Sequence, residues 1–600
     1  MDTAAKVPHR SEIPVEFTWD LTTMYPDDAS WHQAIIQLEA LMPEVAALQG
    51  RVGENSGSLL RALQLRDQVN QQLEKIHAYA NQRRDSDSGD PAAQAIAERS
   101  GAVVARVQAA LAFIEPEILG LSDETIRAWV EREPGLARYR FALEETARQR
   151  PHVRSAEVEN VAALYTDVTR GPGEIFGMLT DVDLSFPAIQ DDKGQAITLS
   201  HGRFRKYMES PDRRVRRDTF HAYYGAFQNV RNTLGTALAA AVRSHVVNAR
   251  IHNYATTLEA ALKPNNIPVA VYTNLLSTVE ANLPRHHRYL ATRKRLMGLD
   301  EMHLYDLYAP LIPEVEFSGP FTEAHQTVRD ALARLGPAYG DALEQAFTRR
   351  WIDVYENVGK RSGAYSGGGY STSPYILLNY QDRLEDMYTL THELGHSMHS
   401  YFTRQTQPFV YGSYTAFLAE VASTVNEALL TAHLLETRPG ARLRKRLIVQ
   451  QLEDIRTTII RQTMFARFEL DIHQAAEAGE PLTTENLSQR YYDLVARYMG
   501  PDVVLAKDIA LEWARIPHFY YNYYVFQYAT GLSAAIALSK HILSEGQPAV
   551  DRYLKFLSSG SSAPSIELLR QAGVDMATPG PVQQAMETID QLLDELEGLH

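Results

Sequence analysis

Three histidines stand within eight residues of the segment TLTHELGHSMHSYF, which covers residues 389–402. Placed on an α-helix at about 100° per residue, His392, His396 and His399 share one face of the helix. The apolar residues share the opposite face: Met387, Leu390, Leu394, Met398 and Tyr401. This division predicts an amphipathic helix whose histidine face carries the chemistry.

The spacing of the histidines selects two of them. His392 and His396 are one turn apart, about 6 Å along the axis, so their imidazoles can converge on one ion, whereas His399 lies about 10.5 Å from His392. Glu393 lies about 100° from His392, where a carboxylate can reach a water beside the metal without binding the metal. HELGH is therefore typical of a two-histidine zinc site with its own general base. Gly395 predicts a close approach by substrate or by another helix.

A third metal ligand should come from another part of the chain. The sequence contains no cysteine, so this ligand is expected to be His, Glu or Asp. Residues 415–435, TAFLAEVASTVNEALLTAHLL, read as a helix that is apolar except for a stripe at Glu420, Ser423, Thr424 and Glu427. A solvated face is the usual explanation of such a stripe, but the apolar remainder favours a buried site. We predict Glu420 as the ligand and Glu427 as an acceptor that orients a ligand histidine, although spacing alone leaves the reverse open.

Bulk composition excludes several classes of protein. With 600 residues the chain should form at least two lobes. A net charge of −15 argues against a nucleic-acid or anionic-membrane partner. The N-terminus lacks the apolar run of a signal peptide, and no stretch reaches the length of a membrane span. The absence of cysteine suits a reducing cytoplasm, where we expect the protein to reside. Nothing in the sequence indicates the oligomeric state.

Most segments have helical periodicity, which predicts a mostly α fold. Residues 186–199 read as a β-hairpin around an Asp-Lys-Gly turn, and residues 374–380, PYILLNY, read as a strand. The glycine-rich GAYSGGGYSTS before this strand lacks a P-loop ending. We interpret it as a loop beside an edge strand, ILLN, which can hydrogen-bond an extended peptide. We expect residues 1–200 to form an N-terminal helical lobe ending in the hairpin, and residues 201–600 to form a catalytic lobe.

HELGH followed by FLAEVASTVNE resembles the oligoendopeptidase F family of zinc peptidases, relatives of thimet oligopeptidase and neurolysin. The resemblance extends to KRSGAYSGGGYSTSPYILLNY, IPHFYYNYYVFQYATG and EIPVEFTWDLTTMYP, and so covers nearly the whole chain. It implies one zinc per chain on His392, His396 and Glu420, with Glu393 in catalysis. It also implies two helical lobes around a deep substrate channel, with a small β-sheet beside the zinc site. Val425 departs from the family pattern, but no catalytic or metal-binding role is assigned to this position.

The segment FYYNYYVFQY, residues 519–528, holds seven aromatic residues in ten positions. A packed aromatic core explains most of them. However, a hydrolase needs donors aimed at the developing oxyanion, and members of the family are similar in using a histidine and tyrosines of this region. The resemblance carries this role to His518 and, by a Tyr-x-x-Tyr match, to Tyr520 and Tyr523. Tyr521 and Tyr524, one register away, remain equally good candidates.

The sequence thus predicts a cytoplasmic zinc endopeptidase that cleaves internal bonds of short, unstructured peptides. One alternative is a zinc carboxypeptidase on a related helical scaffold, which would spare peptides blocked at the C-terminus. Another is a peptide-binding protein whose zinc is structural. A structural zinc would have four protein ligands, and the sequence offers no evident fourth.

Overall fold

A computed structural model describes residues 6–312, 319–438 and 440–599 of the protein. The chain forms two compact units, each assembled from three separate stretches. Unit 1 consists of Met1–Arg150, Glu316–Thr437 and Leu538–Val574, and unit 2 consists of Pro151–Val315, Arg438–Ala537 and Asp575–His600. The division expected near residue 200 differs from this one, because the chain returns twice to unit 1 after leaving it. Because each unit is built from separate stretches of the chain, no single linker marks the boundary between the units in the sequence.

The fold is mostly α-helical, as predicted. The first stretches of units 1 and 2 contain α1 Asp28–Glu39, α2 Met42–Ala46, α3 Ser56–Ser86, α4 Pro91–Leu111, α5 Ile114–Leu119, α6 Asp123–Arg132, α7 Arg140–Arg148, α8 Ala156–Met178, α9 His201–Met208, α10 Arg213–Ile251, α11 Thr257–Leu262, α12 Val269–Ala281 and α13 Leu283–Leu296. The later stretches contain α14 Phe321–Leu332, α15 Pro337–Thr348, α16 Leu384–Thr406, α17 Ala416–Thr437, α18 Ala441–Asp454, α19 Arg461–Glu477, α20 Thr484–Met499, α21 Phe526–Glu545, α22 Gln547–Leu557, α23 Ser565–Gln571 and α24 Gly580–Gly598.

The helix α16 is the histidine helix, and its sides are divided as the sequence predicts. Its apolar residues Met387, Leu390, Leu394 and Met398 are fully buried in unit 1. The helix begins where Asp386 accepts hydrogen bonds from the backbone N–H groups of Gln381 and Arg383, which satisfies donors that a helix start would otherwise leave unpaired. Burial of the apolar side fixes the rotation of α16 and therefore the direction of its histidines.

The strands are short. They are β1 Ala188–Gln190, β2 Ala196–Thr198, β3 Met302–His303, β4 Ile352–Asp353, β5 Tyr365–Gly367, β6 Tyr375–Leu377 and β7 Val503–Val504. The strands β1 and β2 pair antiparallel, which confirms the predicted hairpin, and β3 pairs parallel with β7. Among the described residues, none of the helices combines the length and apolar character needed to cross a membrane.

The sheet of unit 1 corrects one expectation. Its strand order is β4-β6-β5, with β6 parallel to β4 and antiparallel to β5. The predicted edge strand ILLN contributes to β6, which is the buried central strand, so that prediction is wrong. The outer strands are β4 and β5, and β5 is formed by the glycine-rich segment itself. Gly368 follows β5 with φ +147°, and a Cβ there would lie 2.6 Å from the Ser373 carbonyl oxygen, so a glycine is required for the turn back into β6.

Candidate metal centre

The candidate metal centre forms where α16 crosses α17. A Cβ built on Gly395 would lie 2.5 Å from the Cα of Ser423 and 2.7 Å from the carbonyl oxygen of Ala422. The close approach predicted at Gly395 is therefore made by another helix. Because the two backbones touch at this point, Glu420 of α17 lies beside His392 and His396 of α16.

Three ligand atoms form a nearly equilateral triangle. Nε2 of His392 lies 3.2 Å from Nε2 of His396 and 3.2 Å from Oε2 of Glu420, and the remaining side, from His396 to Glu420, measures 3.5 Å. A tetrahedral zinc with bonds of 2.0–2.2 Å separates its ligand atoms by about 3.3 Å. Two imidazoles and one carboxylate are also a donor set that zinc accepts. The residues present therefore fit the metal, and they are the three predicted from the sequence.

Glu427 hydrogen-bonds the first histidine, the contact that the sequence predicts for it. Oε1 of Glu427 lies 2.7 Å from Nδ1 of His392. A carboxylate accepts, so Nδ1 donates its hydrogen to Glu427, and Nε2 is the nitrogen that a metal would bind. Burial lowers the pKa of His392, but hydrogen bonds to Glu420 and Glu427 outweigh burial and raise that pKa to about 10. The same contacts from His392 and His396 hold the pKa of Glu420 well below its usual range.

Glu393 stands apart from the three ligand atoms. It is buried on the flank of α16 that faces β5, where Ser366 and Ser397 lie within 2.8 Å of each other through their hydroxyl groups. Burial raises the pKa of Glu393, against the opposing effects of His392, His396 and the Ser366 backbone N–H. A carboxyl group with a raised pKa exchanges its proton closer to neutral pH, which suits a general base that later acts as an acid.

His399 lies outside the cluster, in agreement with the helical rise. Its ring stacks on Tyr414 at a centroid distance of 3.7 Å and lies 5.3 Å from the ring of Phe556. Burial lowers its pKa to about 3, so the imidazole is neutral. Neither ring nitrogen has a hydrogen-bond partner among the described residues. His399 is a packing residue of the unit 1 core.

In unit 2, His518 belongs to a cluster of tyrosines that differs from the predicted one. It lies in the short 3₁₀ helix Pro517–Tyr520, with the Tyr528 hydroxyl 3.4 Å from its Nε2. The rings of Tyr521 and Tyr524 flank it at 5.5 and 6.1 Å. Burial lowers the pKa of His518, so the ring is a neutral donor at physiological pH. Tyr528 was not singled out from the sequence, because residues 521–525 are not helical and no periodic spacing relates it to His518.

The two tyrosines chosen from the sequence lie elsewhere. Tyr523 is buried in the core of unit 2, with its hydroxyl 3.1 Å from Oγ1 of Thr257. Tyr520 packs against Phe176 at a ring distance of 4.8 Å. The structure thus groups His518 with the alternative register, Tyr521 and Tyr524, and not with Tyr520 and Tyr523.

Comparison with known proteins gives a consistent result over the whole chain. Residues 206–588 match the model of peptidase family M3, and residues 117–186 match a model described as oligopeptidase F. The oligopeptidase PepF of Bacillus subtilis (strain 168) is 42% identical over 596 residues, which cover 99% of this chain and 89% of that protein.

Solved structures are also similar to this protein over nearly the whole chain. The crystal structure of oligoendopeptidase-F from Enterococcus faecium is 36% identical, with a TM-score of 0.74 over 95% of this chain and 99% of that chain. A crystal structure from Chlamydophila abortus is 37% identical, with a TM-score of 0.94 over 99% of this chain and 100% of that chain.

Proposed function

Because the chain belongs to peptidase family M3 and is a metallo-oligopeptidase, we propose that its metal is zinc and that it cleaves internal bonds of short, unstructured peptides. The observation that carries the proposal is the triangle formed by His392, His396 and Glu420, whose sides of 3.2 to 3.5 Å suit zinc. One zinc per chain is expected there. When bound, zinc supplies Lewis acidity, which polarises the scissile carbonyl and makes a nearby water easier to deprotonate.

Glu393 is proposed to move the proton. Its buried carboxylate takes a proton from the attacking water and passes it to the nitrogen of the leaving amine. Burial raises the pKa of Glu393, which brings its proton exchange closer to neutral pH and supports both steps. The Ser366 N–H and the neighbouring histidines oppose this rise in the pKa.

His518 is proposed to donate a hydrogen bond to the oxygen of the scissile carbonyl as negative charge develops there. The neutral ring state of His518 and its tyrosine neighbours support this role. Tyr521, Tyr524 and Tyr528 are the tyrosines closest to it, so we transfer the proposed tyrosine role to them from Tyr520 and Tyr523.

The edge strand β5 is proposed to bind the substrate backbone. An extended peptide can add along its outer edge by main-chain hydrogen bonds, which recognise no particular side chain. Such pairing requires a peptide whose own backbone is free, so folded proteins should be spared. The deep substrate channel implied by the family resemblance would have the same effect, and it stays a prediction, as does a cytoplasmic location.

Two measurements test the proposal together: the zinc content of the purified protein, and mass spectrometry of a peptide library digested by it. We expect about one zinc per chain and cleavage at internal bonds of peptides amidated at the C-terminus. A protein that releases only C-terminal residues would be a carboxypeptidase. A protein that holds zinc but cleaves nothing would support a structural metal, although the described cluster provides three ligands and not four.

A further inference from the structure

A cavity of about 30 Å³ lies within unit 2, between α10, α13, α19 and α20. One water needs roughly 10–15 Å³, so the cavity has room for one small ion or for a few waters. Two arginines, Arg456 and Arg461, line it together with Glu512, which is its one carboxylate among the described residues. His286 lines it too, and neither of its buried ring nitrogens has a hydrogen-bond partner among the described residues. The lining is therefore richer in cations than in anions.

An unusual turn of helix brings the two arginines to the same cavity. Residues Ile455–Ile460 form a π-helical turn between α18 and α19, in which the backbone N–H of Arg461 donates to the carbonyl oxygen of Arg456. In an α-helix, side chains five residues apart point about 140° apart. The five-residue hydrogen bond of a π-helical turn brings them nearly above one another, and such turns are rare and frequent at functional sites. The turn therefore presents two guanidinium groups to one space.

Glu512, the carboxylate at the cavity, is shared by two arginines. Its Oε1 accepts a hydrogen bond from Arg461 at 2.6 Å and lies 3.9 Å from Nε of Arg515. Its oxygens also accept hydrogen bonds from the hydroxyl groups of Tyr224 and Tyr491, at 3.2 and 2.7 Å. One negative charge thus meets two positive charges, and its oxygens are already occupied by donors of the protein.

Arg456 belongs to a second group of the same composition. Glu453 accepts hydrogen bonds from Arg456 at 2.6 Å and from Arg293 at 3.3 Å. Arg293 is only 1% exposed, so solvent does little to compensate its charge. Together, the groups around Glu453 and Glu512 set four arginines against two carboxylates.

A further carboxylate of unit 2, Asp306, does not supply the missing charge. It accepts hydrogen bonds from Arg213 at 2.9 Å and from Arg216 at 2.8 Å, which are two additional arginines. Buried charges in proteins are normally paired, because it is costly to remove an unpaired charge from water. The described residues around the cavity therefore carry an excess of positive charge, which a bound anion would reduce.

We propose that the cavity binds one inorganic anion of chloride's size, held between the guanidinium groups of Arg456 and Arg461. Water would fill the same space but would leave the positive excess uncompensated. The small volume favours a halide over sulfate or phosphate. The anion stabilises the folded state, because the unfolded chain does not assemble the site. The cavity shares no residue with the metal centre, so this inference does not depend on the proposed function.

Bromide crystallography tests the position of the anion. Crystals of the full-length, zinc-loaded protein are soaked in sodium bromide, and anomalous scattering locates the bromide ions. We expect a peak within hydrogen-bonding distance of Arg456 and Arg461. A cavity that holds only density without an anomalous signal would contain water, and this result would overturn the inference even if no variant could be purified.

Thermal unfolding tests the anion in solution, as sodium chloride replaces sodium gluconate at constant ionic strength. The Tm of the parent should rise with chloride, and the rise gives an apparent dissociation constant. Arg461→Gln removes one charged donor and should increase this constant about tenfold or more. Arg467→Gln is the matched control on the same helix, since Arg467 pairs with Glu280 at 2.9 Å outside the cavity, and should leave the constant unchanged. A parent that does not respond to chloride, or equal responses of the two variants, would contradict the proposal.

Discussion

Gly395 of α16 and Ser423 of α17 meet at backbone distance, with only 2.5 Å between the Cα of Ser423 and the place where a Gly395 side chain would begin. This contact sets the separation of the two helices at the point from which His392, His396 and Glu420 project. The metal triangle therefore depends on the absence of a side chain at a position that itself binds nothing.

Replacement of Gly395 by alanine should destabilise the protein and weaken its hold on zinc. Real Cβ atoms do not approach backbone atoms this closely, so α17 must shift, and overpacking of this kind costs about 1–3 kcal/mol. Zinc affinity is measured by competition with a chelator and stability by thermal unfolding. The control is Gly101→Ala in α4, where a Cβ meets nothing within 4 Å. That change should stabilise by about 0.5–1 kcal/mol. Equal behaviour of the two variants would contradict the crossing argument.

Replacement of the proposed base, Glu393, and of the proposed ligand, Glu420, should have different effects on zinc binding and on hydrolysis. Glu393→Gln preserves shape but removes the proton acceptor, so peptide hydrolysis should fall by about 10²- to 10⁴-fold while zinc stays bound. Glu420→Gln replaces a charged ligand by a neutral one and should lower zinc affinity. Glu427→Gln should lower it by about 10- to 100-fold, through loss of orientation at His392. Zinc content and hydrolysis are measured on all three variants. A Glu393→Gln protein that arrives without zinc would show that Glu393 is a ligand.

Substitution of His396 should abolish zinc binding, whereas substitution of His399 should not. His396→Gln removes a ligand atom and should abolish zinc binding and activity. His399→Gln should retain zinc, although it loses the ring stack on Tyr414. His399→Phe should retain both zinc and stability, because the neutral ring of His399 has no hydrogen-bond partner among the described residues. Zinc analysis and thermal unfolding distinguish the variants. Zinc loss in His399→Phe would mean that the wrong histidine pair has been assigned.

The histidine pair of the metal triangle could be predicted because it depends on local periodicity, whereas spacing left Glu420 and Glu427 open as the third ligand and the family resemblance selected Glu420. One helical turn relates His392 to His396, and the apolar side chains of α16 and α17 fix which way the polar ones point. The distance between the two helices was indicated only by Gly395. The sequence does not identify what approaches Gly395, because a glycine within a helix allows close contact either with substrate or with another helix.

The position of β6 in its sheet and the arrangement of the tyrosines around His518 could not be predicted from the sequence, because the first depends on long-range pairing and the second on local backbone strain. The strand β6 is central because Ile376 pairs with Ile352 on one side and Ser366 on the other, partners that are distant in sequence. The Tyr-x-x-Tyr spacing failed because Asn522 and Tyr523 adopt left-handed backbone conformations with φ of 53° and 57°. Two such residues in succession interrupt any helical register, so Tyr520 and Tyr523 do not share a face.

The carboxyl group of Glu469 has a consequence for the pH dependence of stability. It is fully buried in unit 2, where Oε1 accepts the backbone N–H of Tyr523 at 2.5 Å, and Oε2 has no partner among the described residues. Burial raises the pKa of Glu469 from 4.5 to about 8. Between these values the folded protein holds a proton that the unfolded chain has lost, so the contribution of Glu469 to stability falls as the pH rises from 4.5 to 8 and is constant above 8.

Glu469→Gln should therefore be more stable than the parent at pH 9, by up to about 4 kcal/mol, and should lose most of this advantage near pH 5. Glutamine still offers an oxygen to the Tyr523 N–H but carries no charge. Glu512→Gln is the matched control: burial alone would raise the pKa of Glu512, but Arg461 and Arg515 hold it below its usual value. Removing that charge should destabilise the protein at both pH values. Thermal unfolding of the three proteins between pH 5 and 9 measures both effects, and a Glu469→Gln advantage that does not grow with pH would show that Glu469 is ionised in the folded protein.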